Sequence, residues 1–246
     1  MQVVTVFNRK GGVGKTATAV NIAAAIGKRK RVLLVDLDPQ ASASCWLGHD
    51  GGAPGLFEVL AGESKRLTII PGASGVDLAP AYKRLELADQ ALDLPRAIKH
   101  LRQALGAIAG DYSAVLIDSP PSIGMLSVAA LGVSDGVLAP VEASRFGLSG
   151  CLDVERAIEG VSRVTGRALK LAGILPCRVT RSNHTDAVLS ALRARYGRKV
   201  FKAEIRETVR VREAAVECVP VIDYAPNSTA ATDYRRAASE LLKRMK

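Results

Sequence analysis

The sequence predicts an α/β fold, in which a doubly wound, mostly parallel sheet carries helices on both faces. Short runs rich in Val, Leu and Ile alternate with longer segments of helical spacing, an order typical of βαβ units. Aromatic residues make up only 4% of the chain, so the core is predicted to consist mainly of aliphatic side chains. The 246 residues are enough for one well-buried domain, and no linker or repeat divides them. We therefore expect a single domain over residues 1–246.

Five apolar runs are predicted to be the buried strands of this sheet. They cover residues 3–7, 31–36, 114–118, 136–140 and 169–175. Each run is short and rich in aliphatic residues, which suits a strand that is covered on both faces. Residues 68–70 and 76–79, around a Pro-Gly turn, and residues 200–205 are weaker strand candidates.

The helices are predicted between these strands and at the C-terminus. They cover residues 16–27, 94–109, 147–164, 185–196 and 229–245. The first is rich in Ala and follows a Gly-rich turn, so strand, loop and helix succeed one another at the N-terminus. The last has six small or apolar residues on one side: Tyr234, Ala237, Ala238, Leu241, Leu242 and Met245. We expect that side to pack against the core.

The net charge of +10 is unevenly distributed along the chain. Residues 1–154 carry an excess of one positive charge, and residues 155–246 carry an excess of nine. A basic half of this kind is either a solvated face or a surface for a polyanion. The charge pattern alone leaves both interpretations open.

Cysteine and histidine usage predicts no metal or cluster site. The four cysteines and three histidines are scattered, and no C-x-x-C pair occurs. The N-terminus has no basic segment followed by an apolar stretch, and no run approaches the roughly 18 apolar residues of a membrane span. We therefore expect a cytoplasmic protein with reduced thiols.

A glycine-rich motif, K-G-G-V-G-K-T, lies between the first predicted strand and the first predicted helix. Its residues are Lys10, Gly11, Gly12, Val13, Gly14, Lys15 and Thr16. Glycines let the backbone N–H groups and the helix N-terminus wrap closely around phosphate oxygens. Lys15 is predicted to meet the β and γ phosphate oxygens, and the Thr16 hydroxyl to bind Mg²⁺. The motif thus predicts a P-loop with ATP and Mg²⁺ as cofactors.

This P-loop has an unusual beginning. The general pattern has a glycine five positions before Gly14, where this chain has Arg9, and the motif instead begins with a second lysine, Lys10. In this respect the chain resembles the ParA/Soj ATPases of chromosome and plasmid partition, within the wider ParA/MinD group. The resemblance implies that Lys10 reaches the phosphates of a partner subunit in an ATP-dependent homodimer. For Lys10 alone, the alternative is a solvated cation of the loop.

A second motif, V-D-L-D-P-Q, ends the predicted strand 31–36, at the edge where ligands of open α/β sheets bind. Two carboxylates near a phosphate site suggest positioning of water and organisation of Mg²⁺. The resemblance implies that Asp38 supports hydrolysis, together with Lys10 and Lys15. Asp36 is expected to support the loop and the metal shell of the nucleotide site. Taken alone, the motif is also compatible with an ordinary turn.

A third motif, V-L-I-D-S-P-P-S, ends the strand 114–118 in an acidic residue and a rigid Pro-Pro turn. It looks like a Walker B strand. Asp118 would then hold Mg²⁺ through water, and the following segment would sense the γ-phosphate. The family usually has Cys at Ser119 and Gly at Ala41, but neither difference removes a charge or donor that the mechanism needs.

The resemblance continues through residues 205–227 and so spans nearly the whole chain. In the family this region carries a DNA-contacting arginine before a Glu-Ala pair, which here is Arg210, with Arg206 and Arg212 as further candidates. By family position, Pro176 and Arg178 are expected neighbours of the adenine base.

The function implied by the resemblance is that of a ParA-type ATPase, which hydrolyses ATP to ADP and phosphate. The expected partners are nonspecific DNA, a second copy of the chain and a ParB-like centromere-binding protein that stimulates hydrolysis. Such a protein is nucleoid-associated in the cytoplasm.

Two other classes share the lysine motif. A MinD-like membrane-positioning ATPase needs a C-terminal amphipathic helix with bulky apolar residues, whereas this tail has mostly Ala and Leu and no Phe or Trp. We therefore expect no membrane partner. An electron-transfer ATPase would hold an iron–sulfur cluster between subunits, for example at Cys151 or Cys177. We expect these cysteines to be buried apolar residues, and Trp46 to be a core or switch-anchoring side chain.

Overall fold

Six parallel strands form one sheet in the computed structural model, which describes residues 1–49, 55–72, 75–144 and 147–245. The strands are β1 (Gln2–Val6), β2 (Val32–Asp36), β3 (Val76–Ala79), β4 (Ala114–Asp118), β5 (Gly136–Glu142) and β6 (Lys170–Cys177). Their order across the sheet is β3-β2-β4-β1-β5-β6. The predicted parallel α/β sheet is confirmed, and the candidate strand 76–79 is its edge strand β3.

Eleven α-helices surround the sheet within the same ranges of the chain. They are α1 (Lys15–Gly27), α2 (Ser42–Trp46), α3 (Leu56–Ala61), α4 (Ala88–Ala91), α5 (Leu94–Ala107), α6 (Met125–Val133), α7 (Gly147–Thr165), α8 (Asn183–Tyr196), α9 (Val209–Val216), α10 (Val221–Tyr224) and α11 (Thr229–Arg244). The five helices predicted from spacing correspond to α1, α5, α7, α8 and α11, and each differs from the prediction at one end, by one or two residues.

Three of the longer helices begin at a side-chain cap. Asp93 accepts a hydrogen bond from the backbone of the first turn of α5, and Ser182 and Ser228 do the same for α8 and α11. Such caps satisfy backbone N–H groups that have no partner within the helix. The short polar residues before these segments are therefore the local reason that the helices begin there.

Alternate residues of the strands face two different helical layers. On one face, Val4 and Leu34 pack with α1 and α11. On the other face, Val3 and Leu33 pack with α3, α5 and α6, while α7 and α8 cover Val137 of β5. Because helices cover both faces, the strands have almost continuous apolar runs. The predicted helices on both faces are confirmed.

The order of the strands brings three loops together. The chain builds outward from β1 through β2 to β3, and β4 then returns into the space between β1 and β2. In the register of the sheet, Asp118 at the end of β4 is paired with Val6 of β1 and with Asp36 of β2. The loops that follow β1, β2 and β4 therefore open at one point on the carboxyl edge, where α/β sheets bind ligands.

Two weaker strand candidates are not strands. Residues 68–70 contribute only an antiparallel bridge between Ile70 and Leu78. The segment 200–205 runs beside β6, where the N–H of Phe201 donates to Ile174 O at 2.8 Å. The next two backbone N–H groups, of Lys202 and Ala203, instead donate to the carboxylate of Glu240 on α11. Because these donors are used by α11, no regular ladder with β6 forms.

Gly173 in β6 lies directly against the ring of Phe201 in the segment 200–205. A Cβ atom at this position would lie 2.2 Å from Cε1 of Phe201, whose side chain is fully buried. We expect Gly173→Ala to lower the free energy of unfolding by about 1–3 kcal/mol, because the buried ring has no space to move into. Urea unfolding followed by circular dichroism measures this change.

Gly160→Ala is the matched control for this substitution. Gly160 lies within α7, and a Cβ atom there would have nothing within 4 Å. We expect this variant to gain about 0.5–1 kcal/mol, because Ala favours the helical backbone over Gly. Equal stability of the Gly173→Ala variant and the unchanged protein would contradict the packing described here.

Candidate functional site

The glycine-rich loop begins after β1 and ends in the first turn of α1. Gly12 and Gly14 have φ angles of 73° and 91°, in the left-handed region that favours glycine. Val13 between them is buried and anchors the loop. Cβ atoms built on Gly11, Gly12 and Gly14 would meet no atom within 4 Å, so the surface above the loop is open. The loop can therefore receive a group that contacts its backbone closely.

Lys15 lies at the centre of this site. Its side chain is mostly buried, and Nζ donates a hydrogen bond to the carbonyl oxygen of Lys10 at 3.3 Å. Burial lowers the pKa of Lys15, while the carboxylates of Asp118 and Asp38 act in the opposite direction. The tertiary structure thus brings together residues of three separate motifs.

Asp118 is a fully buried carboxylate at the end of β4. Neither of its oxygens has a hydrogen-bond partner among the described residues. Burial raises the pKa of Asp118 well above its ordinary value, and the nearby Asp36 raises it further. The Thr16 hydroxyl is close enough to lower the pKa of Asp118, although no hydrogen bond of normal geometry joins the hydroxyl to the carboxylate. A buried carboxylate without partners is costly unless a cation neutralises it.

Asp118 and Thr16 fit the requirements of a bound Mg²⁺. Magnesium prefers oxygen ligands and is usually held by one or two carboxylates together with water and phosphate oxygens. A carboxylate with both oxygens available and a hydroxyl at the beginning of α1 supply this donor chemistry. The two positions predicted as metal ligands are therefore neighbours at the site.

Asp36 is used to hold the loop after β2. Its Oδ2 accepts hydrogen bonds from the backbone N–H and the hydroxyl of Ser44, both at 2.7 Å. Its Oδ1 accepts from the N–H of Asp38 at 3.2 Å. Burial raises the pKa of Asp36 to about 6, although the hydrogen bonds from Ser44 act against this rise. The predicted support of the loop therefore has a structural basis.

Ser44 is a site residue that the sequence reasoning missed. Besides donating to Asp36, its hydroxyl oxygen accepts from the N–H of Ala81, which follows β3. This side chain therefore ties the loop after β2 to the next strand along the sheet. No spacing rule marks the position, because a serine in a short helix is ordinary unless its neighbours in space are known.

Asp38 lies at the bend of the same loop and is 8% exposed. Its Oδ1 accepts from the N–H of Gln40 at 3.0 Å, which fixes the orientation of the carboxylate. Ala41, next along the loop, has a φ angle of 52°, a left-handed conformation that costs about 1–2 kcal/mol for a residue with a Cβ atom. The presence of Ala41, where the family usually has Gly, therefore has a conformational cost that the sequence reasoning did not identify.

Lys10 forms an ion pair within its own chain. Its Nζ lies 2.5 Å from Oε2 of Glu142, at the end of β5, and this contact lowers the pKa of Glu142. Arg178 approaches the other oxygen of Glu142 at 3.6 Å and also pairs with Glu207 at 3.2 Å. The first residue of the P-loop thus has an acidic partner of its own chain at the carboxyl edge of the sheet. Its action on a partner subunit stays a prediction.

The two predicted adenine neighbours lie where β6 ends. Pro176 is buried near the end of β6, and Arg178 directly follows the strand with a φ angle of 52°. Arg178 reaches the same carboxylate as Lys10, so the end of β6 is connected to the glycine-rich loop through Glu142. Contact with a base stays a prediction for both residues.

The three predicted DNA-contacting arginines differ in their environments. Arg206 donates to both oxygens of the buried Asp233, at 2.8 and 2.6 Å, so its guanidinium group is held against α11. Arg210 is exposed on α9 and pairs with Glu213 at 2.9 Å. Arg212 is exposed on the same helix. Their contact with DNA is a prediction that these positions alone do not test.

Trp46 connects the loop after β2 with the C-terminal region. Its side chain is 9% exposed, and Nε1–H donates to the carbonyl oxygen of Val219 at 2.9 Å.

Cys151 and Cys177 are buried, and burial raises the pKa of both thiols to about 12. Among the described residues, no helix has the length and apolar character required to cross a bilayer.

Comparisons with known proteins cover almost the whole chain. A family model described as an AAA domain matches residues 1–171. The chain is 37% identical over 244 residues to the chromosome-partitioning ATPase Soj of Thermus thermophilus, with 98% of this chain and 96% of that protein covered. It is 35% identical over 253 residues to the chromosome partitioning protein ParA of Caulobacter vibrioides, with 99% and 95% covered.

One of the similar solved structures is that of cobyrinic acid a,c-diamide synthase from Mycobacterium smegmatis with bound ADP and magnesium. It is 32% identical to this chain, with a TM-score of 0.84, and 99% of this chain and 94% of that chain are covered. The same protein has also been solved with an ATP analogue and magnesium. Sequence and structural similarity thus extend over the same residues that build the site described above.

Proposed function

The chain belongs to the Soj/ParA family of chromosome-partitioning ATPases, and from this premise we propose that it is an ATP-driven DNA-partition protein. In this proposal it binds ATP with Mg²⁺, forms a homodimer, binds DNA without sequence preference and hydrolyses ATP to ADP and phosphate. A ParB-like centromere-binding protein stimulates hydrolysis and release. The ATPase occupies residues 1–246 as one domain, and the protein is nucleoid-associated in the cytoplasm.

The observation that carries this proposal is the buried Asp118 carboxylate, whose two oxygens have no hydrogen-bond partner among the described residues. It lies at the meeting point of the glycine-rich loop and the Asp36–Asp38 loop. A partition protein that needs ATP and Mg²⁺ would require such a group at this position. Bound Mg²⁺ would supply positive charge that stabilises the transferring phosphoryl group.

Each residue of the site has a part in the proposed reaction. The backbone of residues 11–16 would hold the phosphate oxygens, and Lys15 would neutralise charge on the β and γ phosphates. Thr16 and Asp118 would hold the metal. Asp36 would keep the loop after β2 in place through Ser44, and Asp38 would orient the attacking water. Hydrolysis in this scheme depends mainly on positioning and electrostatic stabilisation.

DNA binding measured with ATP, with ADP and without nucleotide tests the proposed function. We expect fluorescence anisotropy with unrelated duplexes to show binding only with ATP, because the dimer doubles the phosphate contacts. A parallel assay with vesicles of anionic lipid tests the MinD-like alternative. ATP-dependent vesicle binding without DNA binding would contradict the partition proposal and favour membrane positioning.

Lys10→Ala is expected to abolish ATP-dependent dimerisation while leaving the ATP affinity of the monomer within about threefold. The reason is that the ammonium group is proposed to act on the phosphates of the partner, and a charge-assisted contact of this kind contributes about 2–5 kcal/mol when it is desolvated. Light scattering after size-exclusion chromatography measures the dimer, and titration with a fluorescent ATP analogue measures the affinity.

Arg9→Ala is the matched control, because Arg9 is the neighbouring cation and pairs only weakly, at 3.5 Å, with Asp153. Its removal takes the same charge from the same loop and should leave dimerisation intact. Normal ATP-dependent dimerisation of the Lys10→Ala variant would contradict the proposed contact with the partner's phosphates. Lys10 would then be only a loop cation that pairs with Glu142.

A further inference from the structure

The C-terminal helix α11 is bordered by three adjoining grooves that concentrate the positive charge of the protein. One lies between α11 and residues 202–206, one between α11 and the end of α1, and one between α11 and residues 197–202. Together they are lined by eleven Lys or Arg side chains and only three acidic ones. The formal excess of eight compares with a net charge of +10 for the whole chain.

The three acidic residues of these grooves are already neutralised by arginines. Glu204 pairs with Arg193 at 2.5 Å, Asp233 pairs with Arg206 at 2.6 Å, and Glu240 pairs with Arg244 at 2.6 Å. Among the remaining cations, six are exposed and have no acidic partner among the described residues: Arg29, Lys30, Arg198, Lys202, Arg236 and Lys243. Their positive charge is therefore directed to solvent. We call these three grooves the α11 basic surface.

The surroundings of α9 are much less favourable to a polyanion. Arg210 is paired with Glu213, and the groove beside Arg212 also contains Glu213 and Glu217. That groove has one basic residue and two acidic ones. The positive potential of the C-terminal region is consequently centred on α11, although Arg210 and Arg212 belong to the motif that the sequence marks.

The chemistry of the α11 basic surface favours a phosphodiester backbone over a lipid bilayer. The apolar side of α11, with Tyr234, Ala237 and Leu241, is buried against α1 and the sheet. A helix that lies in a membrane interface needs such a side to insert between the lipids. The surface instead presents Lys and Arg side chains, which bind DNA by neutralising phosphates and releasing counterions.

We propose that the α11 basic surface is the principal DNA-backbone contact of this protein, and that α9 makes the smaller contribution. This rests on the proposed function, and it assigns DNA contacts to residues of the end of α1, of segment 197–202 and of α11 itself. Recognition through phosphates alone carries no direct sequence information, so unrelated duplexes bind alike. Because α11 packs directly on α1, which begins at Lys15, the surface and the nucleotide loop belong to one packed unit.

The test compares three charge-reversal variants of the full chain, each in the presence of ATP and Mg²⁺. The first is Arg236→Glu/Lys243→Glu on α11, and the second is Arg210→Glu/Arg212→Glu on α9, where both side chains are exposed. The third, Lys65→Glu/Arg66→Glu, is a control with the same change in net charge. Both of its side chains are exposed in the connection between α3 and β3, away from the α11 basic surface. Fluorescence anisotropy with two unrelated duplexes gives the affinity at several salt concentrations.

We expect the α11 variant to bind DNA about tenfold or more weakly than the control, with a salt dependence smaller by roughly two counterions per chain. The α9 variant, with the same number of reversed charges, should lose less affinity than the α11 variant. A further variant, Arg29→Glu/Lys30→Glu, removes charge from the same surface without altering α11 and should also bind more weakly than the control. Unchanged ATP-dependent dimerisation of each variant shows that the fold and the nucleotide site are intact.

Two results would overturn the inference. One is a parent protein that binds DNA with ATP while the α11 and α1 variants bind as tightly as the control. The other is a larger loss of affinity for the α9 variant than for the α11 variant. A parent protein without any ATP-dependent DNA binding at low salt would instead contradict the proposed function itself, so the two failures are distinguishable.

Discussion

Lys15→Ala is expected to weaken ATP binding by about 2–5 kcal/mol, a loss of at least about 30-fold in affinity. The side chain is mostly buried, and it lies near the carboxylates of Asp118 and Asp38. In the Lys15→Ala variant, bound phosphates would lie next to these two carboxylates with no ammonium group of Lys15 to compensate the negative charge. Titration with a fluorescent ATP analogue measures the affinity.

Lys10→Ala is the appropriate comparison for this variant, because it removes a lysine from the same loop. We expect the monomer of that variant to keep its ATP affinity, whereas Lys15→Ala loses both binding and dimerisation. Circular dichroism on both proteins checks that the fold is intact. Equal ATP affinity of Lys15→Ala and the unchanged protein would refute the assignment of residues 10–16 as a phosphate-binding loop.

Asp38→Ala is expected to lower the rate of ATP hydrolysis by about 100-fold or more, the usual range for loss of a residue that positions or activates water. ATP binding and dimerisation should persist, because the carboxylate is proposed to act on water and not to hold the nucleotide. Phosphate release measures hydrolysis, and light scattering measures the dimer.

Asp38→Asn separates the charge of the carboxylate from its structural role. The Asp38 oxygen accepts from the N–H of Gln40, and the amide oxygen of Asn preserves this hydrogen bond. We therefore expect the loop to keep its shape in the Asn variant while hydrolysis still falls. Hydrolysis at the parental rate in both variants would exclude Asp38 from the reaction.

The parts of the fold that the sequence predicted are those with a local cause. The strand 114–118 was predicted with its observed ends because its apolar run stops at Asp118 and is followed by a Pro-Pro turn. Helix α5 begins at a capping Asp with Pro in the first turn, a signal contained within a few residues. The segment 200–205 was placed less well, because Glu240 on a distant helix accepts hydrogen bonds from two of its backbone N–H groups.

The same distinction applies to the candidate site. The P-loop could be predicted because glycines are the residues that adopt the positive φ angles found at Gly12 and Gly14. In addition, Lys15 and Thr16 directly follow Gly14, as the motif requires. The ion pair of Lys10 with Glu142 joins residues 132 positions apart, and the hydrogen bond of Trp46 to Val219 joins residues 173 positions apart. Neither contact has a signal in the sequence.

By itself, the sequence determined the parallel α/β class, the phosphate-binding loop and the resemblance to the partition ATPases, because these depend on periodicity and on short motifs. Only the tertiary structure decided that Asp118 is fully buried at the site, because the order of the strands places β4 between β1 and β2. Neither of its oxygens has a hydrogen-bond partner among the described residues. It also decided where the positive charge lies. In the chain, residues 28–30 are far from residues 193–206 and from α11, and all of them line the α11 basic surface because α11 packs on α1.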